Sequence, residues 1–380
     1  MMKCIVNGRI LLPDSVIDGK VLCFDRKIED ISAKPVPDAE IIDARGCYVA
    51  PGLIDVHCHG CMGYDTANAS VSDLEAISAC VVKHGVTSWL PTTATLSWPT
   101  LEQCFTAVRK AMRKSASADW NGARILGCHA EGPFINPKRK GAQWEQYIQR
   151  PDIRKVKPWA DVIRLMTVAP EVEGALDFIR AARRLGILIS MGHSDATSDQ
   201  ALAGIEAGAT HVTHTFNAMP PLSHRNPGLL GAAMNDERVY CELIADTVHV
   251  NTLLFPIMVK LKPQRLVLVT DSIQCAGLPK GTYDLMGNEI VVEDTHCRLS
   301  DGTIAGSTLT MDRALRNFIQ YSGTTIWRAV NMASLHPARA IGVDNRKGSL
   351  QRGKDADIII TDRNFNVRAT YVEGRRVYPA

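Results

Sequence analysis

Leu53-Ile54-Asp55-Val56-His57-Cys58-His59 is a short, mostly apolar run that ends on two histidines. On a strand, residues i and i+2 point to the same side, so His57 and His59 can approach one ion while Cys58 turns toward the surrounding helices. Seven further buried-strand candidates follow: Ser88–Thr92, Arg124–Cys128, Val162–Val168, Ile187–Met191, His211–Thr213, Tyr240–Ala245 and Leu266–Thr270. Helical stretches alternate with them at Ser72–His84, Thr100–Ser115, Val172–Leu185, Ser198–Ala207 and Thr252–Leu261. Such alternation marks repeated β/α units around a parallel sheet, and eight units make a (β/α)8 TIM barrel the expected α/β architecture. A doubly wound open sheet is the alternative, but no GxGxxG follows the first core strand.

Working outward from that run, metal-binding residue types recur where strands end. Glu131 ends the third, His193 the fifth, His214 the sixth and Asp271 the eighth. In a barrel these positions converge on the C-terminal face, where active sites of this fold are built. Imidazole and carboxylate are ligands that borderline divalent metals favour. Any one of these histidines alone reads as a hydrogen-bonded core or surface residue, whereas the full set at successive strand ends reads as a metal centre. A divalent ion there lowers the pKa of water and polarises a carbonyl, and Asp271 is placed to shuttle the proton. The competing reading of Asp271-Ser272 is a helix N-cap.

Both ends of the chain read differently from the middle. Cys4-Ile5-Val6, Val21-Leu22-Cys23-Phe24 and Glu40-Ile41-Ile42, broken by Asn7-Gly8 and Asp18-Gly19, form a hairpin-rich β segment. Ala356–Thr361 and Val367–Val372 around Asp362-Arg363-Asn364 match it at the other end. The expected organisation is one small β domain built from residues 1–52 and 343–380, with the barrel over 53–342. The 43 basic residues nearly balance the 40 acidic ones, which argues against nucleic acid or an anionic membrane as partner. No segment has the length of a membrane span, and the start lacks a signal-peptide core. The 11 cysteines are odd in number and scattered, which fits a reducing compartment, with the cytosol as the default. Cys58 and Cys61 form a lone CxxC with no second pair to complete a zinc or redox motif.

Pro51-Gly52-Leu53-Ile54-Asp55-Val56-His57-Cys58-His59-Gly60 resembles the opening motif of the amidohydrolase superfamily, and Gly348-Ser349-Leu350 with Gly353-Lys354-Asp355-Ala356-Asp357 resembles its closing segment. His129-Ala130-Glu131-Gly132-Pro133-Phe134, Gly192-His193-Ser194, His214–Met219 and Ala245-Asp246-Thr247-Val248-His249 are similar to the N-acetylglucosamine-6-phosphate deacetylases within it. The resemblance implies a metal-centred barrel with a β-sandwich from both termini. Glu131, His193 and His214 are then ligands of an ion that activates water. With His57 and His59 present, one or two divalent ions are implied, with Glu131 as the bridge. Zinc is the leading metal, and iron, manganese and cobalt accept the same donors.

Substrate contacts implied by the resemblance are Asn217, Ala218, Arg225, Asp246, His249 and the Ile304-Ala305-Gly306 loop. Ala142 and Gln143 belong to Pro137–Gln143, which looks like the family's flexible loop over the site. Some relatives carry histidine where Gln143 stands, and its amide N–H can still reach an acetyl carbonyl. Arg225 can grip a phosphate bidentately, or be a solvated surface arginine. The implied substrate is an amino-sugar phosphate and the implied assembly a homodimer whose subunits share the active site. The rivals are a deacetylase for the galactosamine epimer, another amide hydrolase of the superfamily, and a non-enzymatic scaffold. His84, His211, His224, His296 and His336 read as ordinary structural residues.

Overall fold

The structure is a computed structural model that describes residues 1–285, 287–293 and 296–379. Its centre is a ring of parallel strands: β1 (Leu53–Cys58), β2 (Val86–Thr93), β3 (Cys128–Glu131), β4 (Ile163–Val168), β5 (Leu188–Met191), β6 (His211–Val212), β7 (Tyr240–Ile244) and β8 (Leu266–Val269). Each pairs in parallel with the next in chain order. The sheet is nearly closed, and the seam between β8 and β1 is bridged where Asp271 N donates to His57 O at 2.8 Å and His59 N to Ser272 O at 2.8 Å. Deeper in the seam Thr270 Oγ1 donates to Asp55 Oδ2 at 2.6 Å. Burial pushes the Asp55 carboxyl up to about 6, against the hydrogen bonds it accepts from Thr270 and His57. Every residue of β1, β2, β3, β7 and β8 is buried, as expected of a parallel sheet covered on its outer face.

The covering helices form for local reasons legible in their sequences. Val71–Val81 starts at Ser70, whose side chain and that of Asp73 cap each other reciprocally. Trp98–Ser115 starts at Ser97 with Pro99 in its first turn, two residues earlier than the apolar spacing implied. Its buried positions Leu101, Cys104, Phe105, Val108 and Ala111 follow the helical period and face the barrel core. Ser198–Ala207 has the expected bounds, with Thr197 and Gln200 as its capping box. Val172–Leu185 is shorter in the structure, Ala175–Arg184. Thr252–Leu261 begins as a 3₁₀ turn and becomes α-helical at Phe255.

Three features differ from the sequence expectation. The third strand begins at Cys128 rather than running from Arg124, because Gly127 at φ +143° separates Arg124–Ile125 from it. The segment Ile304-Ala305-Gly306 is a strand, not a loop. It belongs to an antiparallel sheet inserted after β8, made of β9 (Gly281–Leu285), β10 (Asn288–Val292), β11 (His296–Leu299) and β12 (Ile304–Ser307). Helices Gly228–Asn235, Met311–Ser322, Ile326–Ala333 and Leu335–Ala340 complete the outer layer and were not anticipated.

The terminal segments build two further sheets. One has the order Arg375–Tyr378, Val367–Val372, Ile358–Thr361, Tyr48–Pro51, Arg9–Leu11, Val16–Ile17, and so interleaves both ends of the chain. The other runs Ile28–Ser32, Val21–Phe24, Lys3–Val6, Glu40–Asp43. Ile5, Leu22, Phe24, Val49, Ile358, Ile360 and Tyr371 fill a core of their own, with Phe24 edge-on to Tyr371 at 5.6 Å. Among the described residues no helix is long and apolar enough to cross a membrane.

Candidate active site

The C-terminal ends of the strands surround a cavity of about 320 Å³. Its floor carries His59, Glu131, His193, His214 and Asp271, and its walls carry Ala142, Gln143, Asn217, Ala218, His249, Ile304, Ala305 and Gly306. His57 lies just beneath, fully buried. The alternation along β1 places His57 and His59 together, their Nε2 atoms 3.3 Å apart, while Cys58 turns away. On its side of the strand Cys58 Sγ meets Ser272 Oγ at 3.2 Å in the barrel seam. His193, His214 and Asp271 follow their strands at φ +47°, +28° and +48°. A non-glycine residue pays sterically for that left-handed turn, and the turn brings three side chains over the mouth. Gly306, at φ +61°, answers a different need: a Cβ there would lie 2.4 Å from Ile273, so only glycine lets β12 close on the end of β8.

Glu131 is the hub. Its Oε1 lies 3.4 Å from His57 Nε2, 3.3 Å from His193 Nε2 and 3.2 Å from His214 Nε2, and its Oε2 lies 3.4 Å from His59 Nε2. Asp271 Oδ1 is 3.3 Å from the Nε2 atoms of both His57 and His59. The donors therefore fall into two ion-sized groups, His57–His59–Asp271 and Glu131–His193–His214.

Hydrogen bonding behind the ring shows that these groups fit cations. His57 Nδ1 donates to Glu242 Oε2 at 2.9 Å and His193 Nδ1 to Arg139 O at 2.8 Å. Those partners only accept, so in the neutral rings both Nε2 lone pairs face carboxylate oxygens. Acceptors facing acceptors in a buried space are stable only around positive charge. The electrostatics agree. Burial opposes charging His57, yet Asp271, Glu131 and Glu242 outweigh it and hold its pKa well above the ordinary value. His59 rises to about 10, against burial, through its bonds to Asp271 and Glu131. Burial pushes Asp271 up and the two histidines pull it down further, to about 2, while the histidines likewise keep Glu131 well below the usual range despite its burial. A third group, His57–His129–Glu242, does not fit an ion. His129 Nδ1 donates to Val56 O at 3.1 Å and its Nε2 pairs with Thr167 Oγ1 at 2.8 Å, so both ring nitrogens are occupied.

The walls are equally organised. Asp246 does not line the cavity; its Oδ2 accepts from His249 Nδ1 at 2.6 Å and aims that ring inward. Burial opposes the His249 imidazolium, but the Asp246 carboxylate prevails and raises its pKa. Gln143 is more constrained than the sequence implied. Its Oε1 accepts from Thr95 N at 2.6 Å and its Nε2 donates to Glu131 Oε2 at 2.6 Å. Exchanging amide N and O would oppose donor to donor and acceptor to acceptor, so the orientation is fixed. The Pro137–Gln143 segment opens with a 3₁₀ turn tied to His193 through Arg139 O.

Arg225 is exposed and does not line the cavity; among the described lining residues there is neither Arg nor Lys. Of the histidines read as structural, His211 stacks on Tyr240 and burial takes its pKa down to about 3, and His336 donates to Leu266 O at 2.8 Å. The buried carboxylate behind the site that sequence reading missed is Glu242. Its signal was a lone carboxylate inside the apolar strand Tyr240-Cys241-Glu242-Leu243-Ile244.

Residues 48–377 match the Amidohydrolase family. The chain is 35% identical to an N-acetylgalactosamine-6-phosphate deacetylase of Escherichia coli O157:H7, over 98% of this chain and 99% of that one. It is 36% identical to the N-acetylglucosamine-6-phosphate deacetylase of Bacillus subtilis (strain 168), over 94% and 92%. The crystal structure of N-acetylglucosamine-6-phosphate deacetylase from Pasteurella multocida superposes with a TM-score of 0.93 at 32% identity, covering 99% of both chains. The chain belongs to the amidohydrolase family, and within it to the N-acetylglucosamine-6-phosphate deacetylases.

Proposed function

We propose that this enzyme hydrolyses the acetamide of N-acetylglucosamine-6-phosphate, giving glucosamine-6-phosphate and acetate. The observation that carries the reading is the Glu131 carboxylate shared by four imidazoles on the floor of a cavity that also holds Asp271. His57, His59 and Asp271 would hold one divalent ion and Glu131, His193 and His214 another, with zinc the proposed metal. Such an ion supplies the polarised carbonyl and the lowered water pKa that amide hydrolysis needs.

The chain's own groups do the rest. Asp271, ionised at neutral pH, takes a proton from the attacking water and returns it to the sugar nitrogen. The hydroxyl ends on the acetyl carbon, the C–N bond breaks, and nitrogen leaves as a neutral amine. Gln143 keeps one Nε2–H on Glu131 and has a second to offer the acetyl oxygen. Asn217, Ala218 and the β12 edge at Ile304–Gly306 face the sugar, and His249, with Nδ1 committed to Asp246, presents Nε2–H to an anion.

With no Arg or Lys among the described lining residues, the phosphate needs a cation from outside the subunit's own cavity. We assign it to Arg225 of a second copy, in a homodimer whose sites are shared. The loops concerned support this: Leu222, near Arg225, is 56% exposed and Leu253, near His249, 77%. The compartment proposed is the cytosol, consistent with cysteines that are all free thiols.

Acetate release by purified protein from N-acetylglucosamine-6-phosphate and its galactosamine epimer tests the assignment. Higher kcat/KM for the glucosamine compound is expected. A preference for the epimer would reassign the substrate, and no acetate from either would reject the activity.

A further inference from the structure

Glu242 is 1% exposed and lies midway along β7, beneath the cavity rather than on its wall. Its Oε2 accepts from His57 Nδ1 at 2.9 Å and also from the backbone N of His214 at 3.1 Å. Its backbone carbonyl accepts from Thr215 N at 2.9 Å. One buried oxygen thus holds a member of each donor group, the ring of His57 from one and the main chain of His214 from the other. A carboxylate inside an otherwise apolar strand is costly unless hydrogen bonded, and both of its side-chain bonds fall on Oε2, while Oε1 is buried without a hydrogen-bond partner among the described residues.

We propose that Glu242 is a positioning residue that couples the two halves of the ion centre: it fixes His57 as the Nδ1–H tautomer, with Nε2 free for an ion, and it anchors the turn that presents His214. The imidazole has two neutral tautomers, and the other would place a hydrogen on Nε2, the atom directed at Glu131 and Asp271. A carboxylate on the remote nitrogen removes that choice and makes Nε2 a better donor. Glu242 is not itself a ligand, because the bond from His57 places a proton on the Nδ1 side and His129, the third member of that group, has both nitrogens engaged. The inference rests on the divalent-ion reading above.

The test compares the parent with Glu242→Met, which fills the space but offers no oxygen acceptor, and Glu242→Gln, which keeps one. Each full-length protein is stripped and titrated with cobalt, and bound metal, the visible absorption of the cobalt protein and the ¹⁵N shifts of the histidine rings are recorded. Glu242→Met should weaken the ion on the His57 side about 10–100-fold, weaken the other ion less, change the cobalt spectrum and let His57 populate both tautomers. Glu242→Gln should restore the tautomer and most of the affinity. A Glu242→Met protein with parental affinities, spectrum and tautomer would reduce Glu242 to filling and overturn the proposal, whatever its melting temperature. Should Glu242→Met not fold, Glu242→Asp decides: it withdraws the oxygen by one methylene, and parental cobalt binding and tautomer in that variant would also overturn it. A parent that binds no cobalt would instead reject the ion reading beneath.

Discussion

Two of the places where this molecule buries charge are the barrel mouth and the junction where the chain enters β1. At the junction Lys347, 1% exposed, donates to Asp357 Oδ2 at 2.7 Å, and Asp357 Oδ1 accepts from Glu373 N at 2.9 Å. Asp357 also binds the entering strand, its carbonyl accepting from Gly52 N at 2.9 Å. Each of these contacts sets a donor against an acceptor, and Lys347 sets a cation against the carboxylates of Asp357 and, at 3.1 Å, Asp355. At the mouth the imidazole Nε2 atoms face one another and the oxygens of Glu131 and Asp271. The junction is complete in itself, whereas the mouth is completed by something it binds. Burial therefore does not distinguish a structural charge cluster from a functional one; the matching of hydrogens to lone pairs does.

The sharpest way to break this contrast is to remove divalent ions. Prolonged chelation should take acetate release to the detection limit and lower the melting temperature, since ligands bound only by the native state stabilise it. Adding back a divalent ion should restore both, and elemental analysis of the active protein should find one to two ions per chain. Undiminished turnover by protein shown to be metal-free would refute the reading of the mouth.

Asp271→Asn comes next in size. Asparagine keeps the shape but cannot accept the proton, so kcat should fall by about 10²–10⁴ while KM stays within a few-fold. Because Asp271 Oδ1 also lies 3.3 Å from His57 and His59 Nε2, metal content must be measured beside turnover to separate proton transfer from ion loss. Turnover within a few-fold of the parent excludes Asp271 from the chemistry.

The junction supplies the converse experiment. Lys347→Met leaves Asp357 buried without its cation, which should cost about 3–5 kcal/mol of stability and leave kcat of the folded enzyme unchanged. Adding Asp357→Asn, which keeps an oxygen for Glu373 N but removes the charge, should recover part of that loss in urea denaturation. A large fall in kcat without loss of stability would mean that the two regions are not separable.

Why one region was readable from sequence and parts of the other were not follows from range. Strand period and barrel topology are local rules repeated, so His57, His59, Glu131, His193, His214 and Asp271 could be placed at one mouth without coordinates. Glu242 follows the same period but lies mid-strand, below the positions where a barrel's chemistry is normally sought, and its partner His57 is 185 residues away. The attachment of Gln143 to Glu131 and Thr95 is equally non-local. The inserted sheet was missed because its strands follow β8, where the repeating pattern calls for a helix, and that helix, Met311–Ser322, begins only after the insertion. The first two helices start one and two residues earlier than expected because the caps at Ser70 and Ser97 set their beginnings.

The smallest effect tests whether the mouth is completed by a protein group as well as by ions. Arg225→Ala should reduce kcat/KM for the phosphorylated sugar by the worth of a charge-assisted hydrogen bond, about 10- to 150-fold, and barely alter the poor turnover of unphosphorylated N-acetylglucosamine. Where that arginine acts is decided by mixed dimers of an Arg225→Ala chain with an Asp271→Asn chain. If Arg225 serves the partner's cavity, the subunit with intact Asp271 receives an intact arginine from its neighbour, and one efficient site reappears per mixed dimer. The other site then carries both defects. If Arg225 instead folds back onto its own subunit, each site carries one defect and none is efficient. Verified mixed dimers without recovered activity would confine Arg225 to its own subunit, and the phosphate would then need a cation that loop movement brings to a cavity whose described lining holds neither Arg nor Lys.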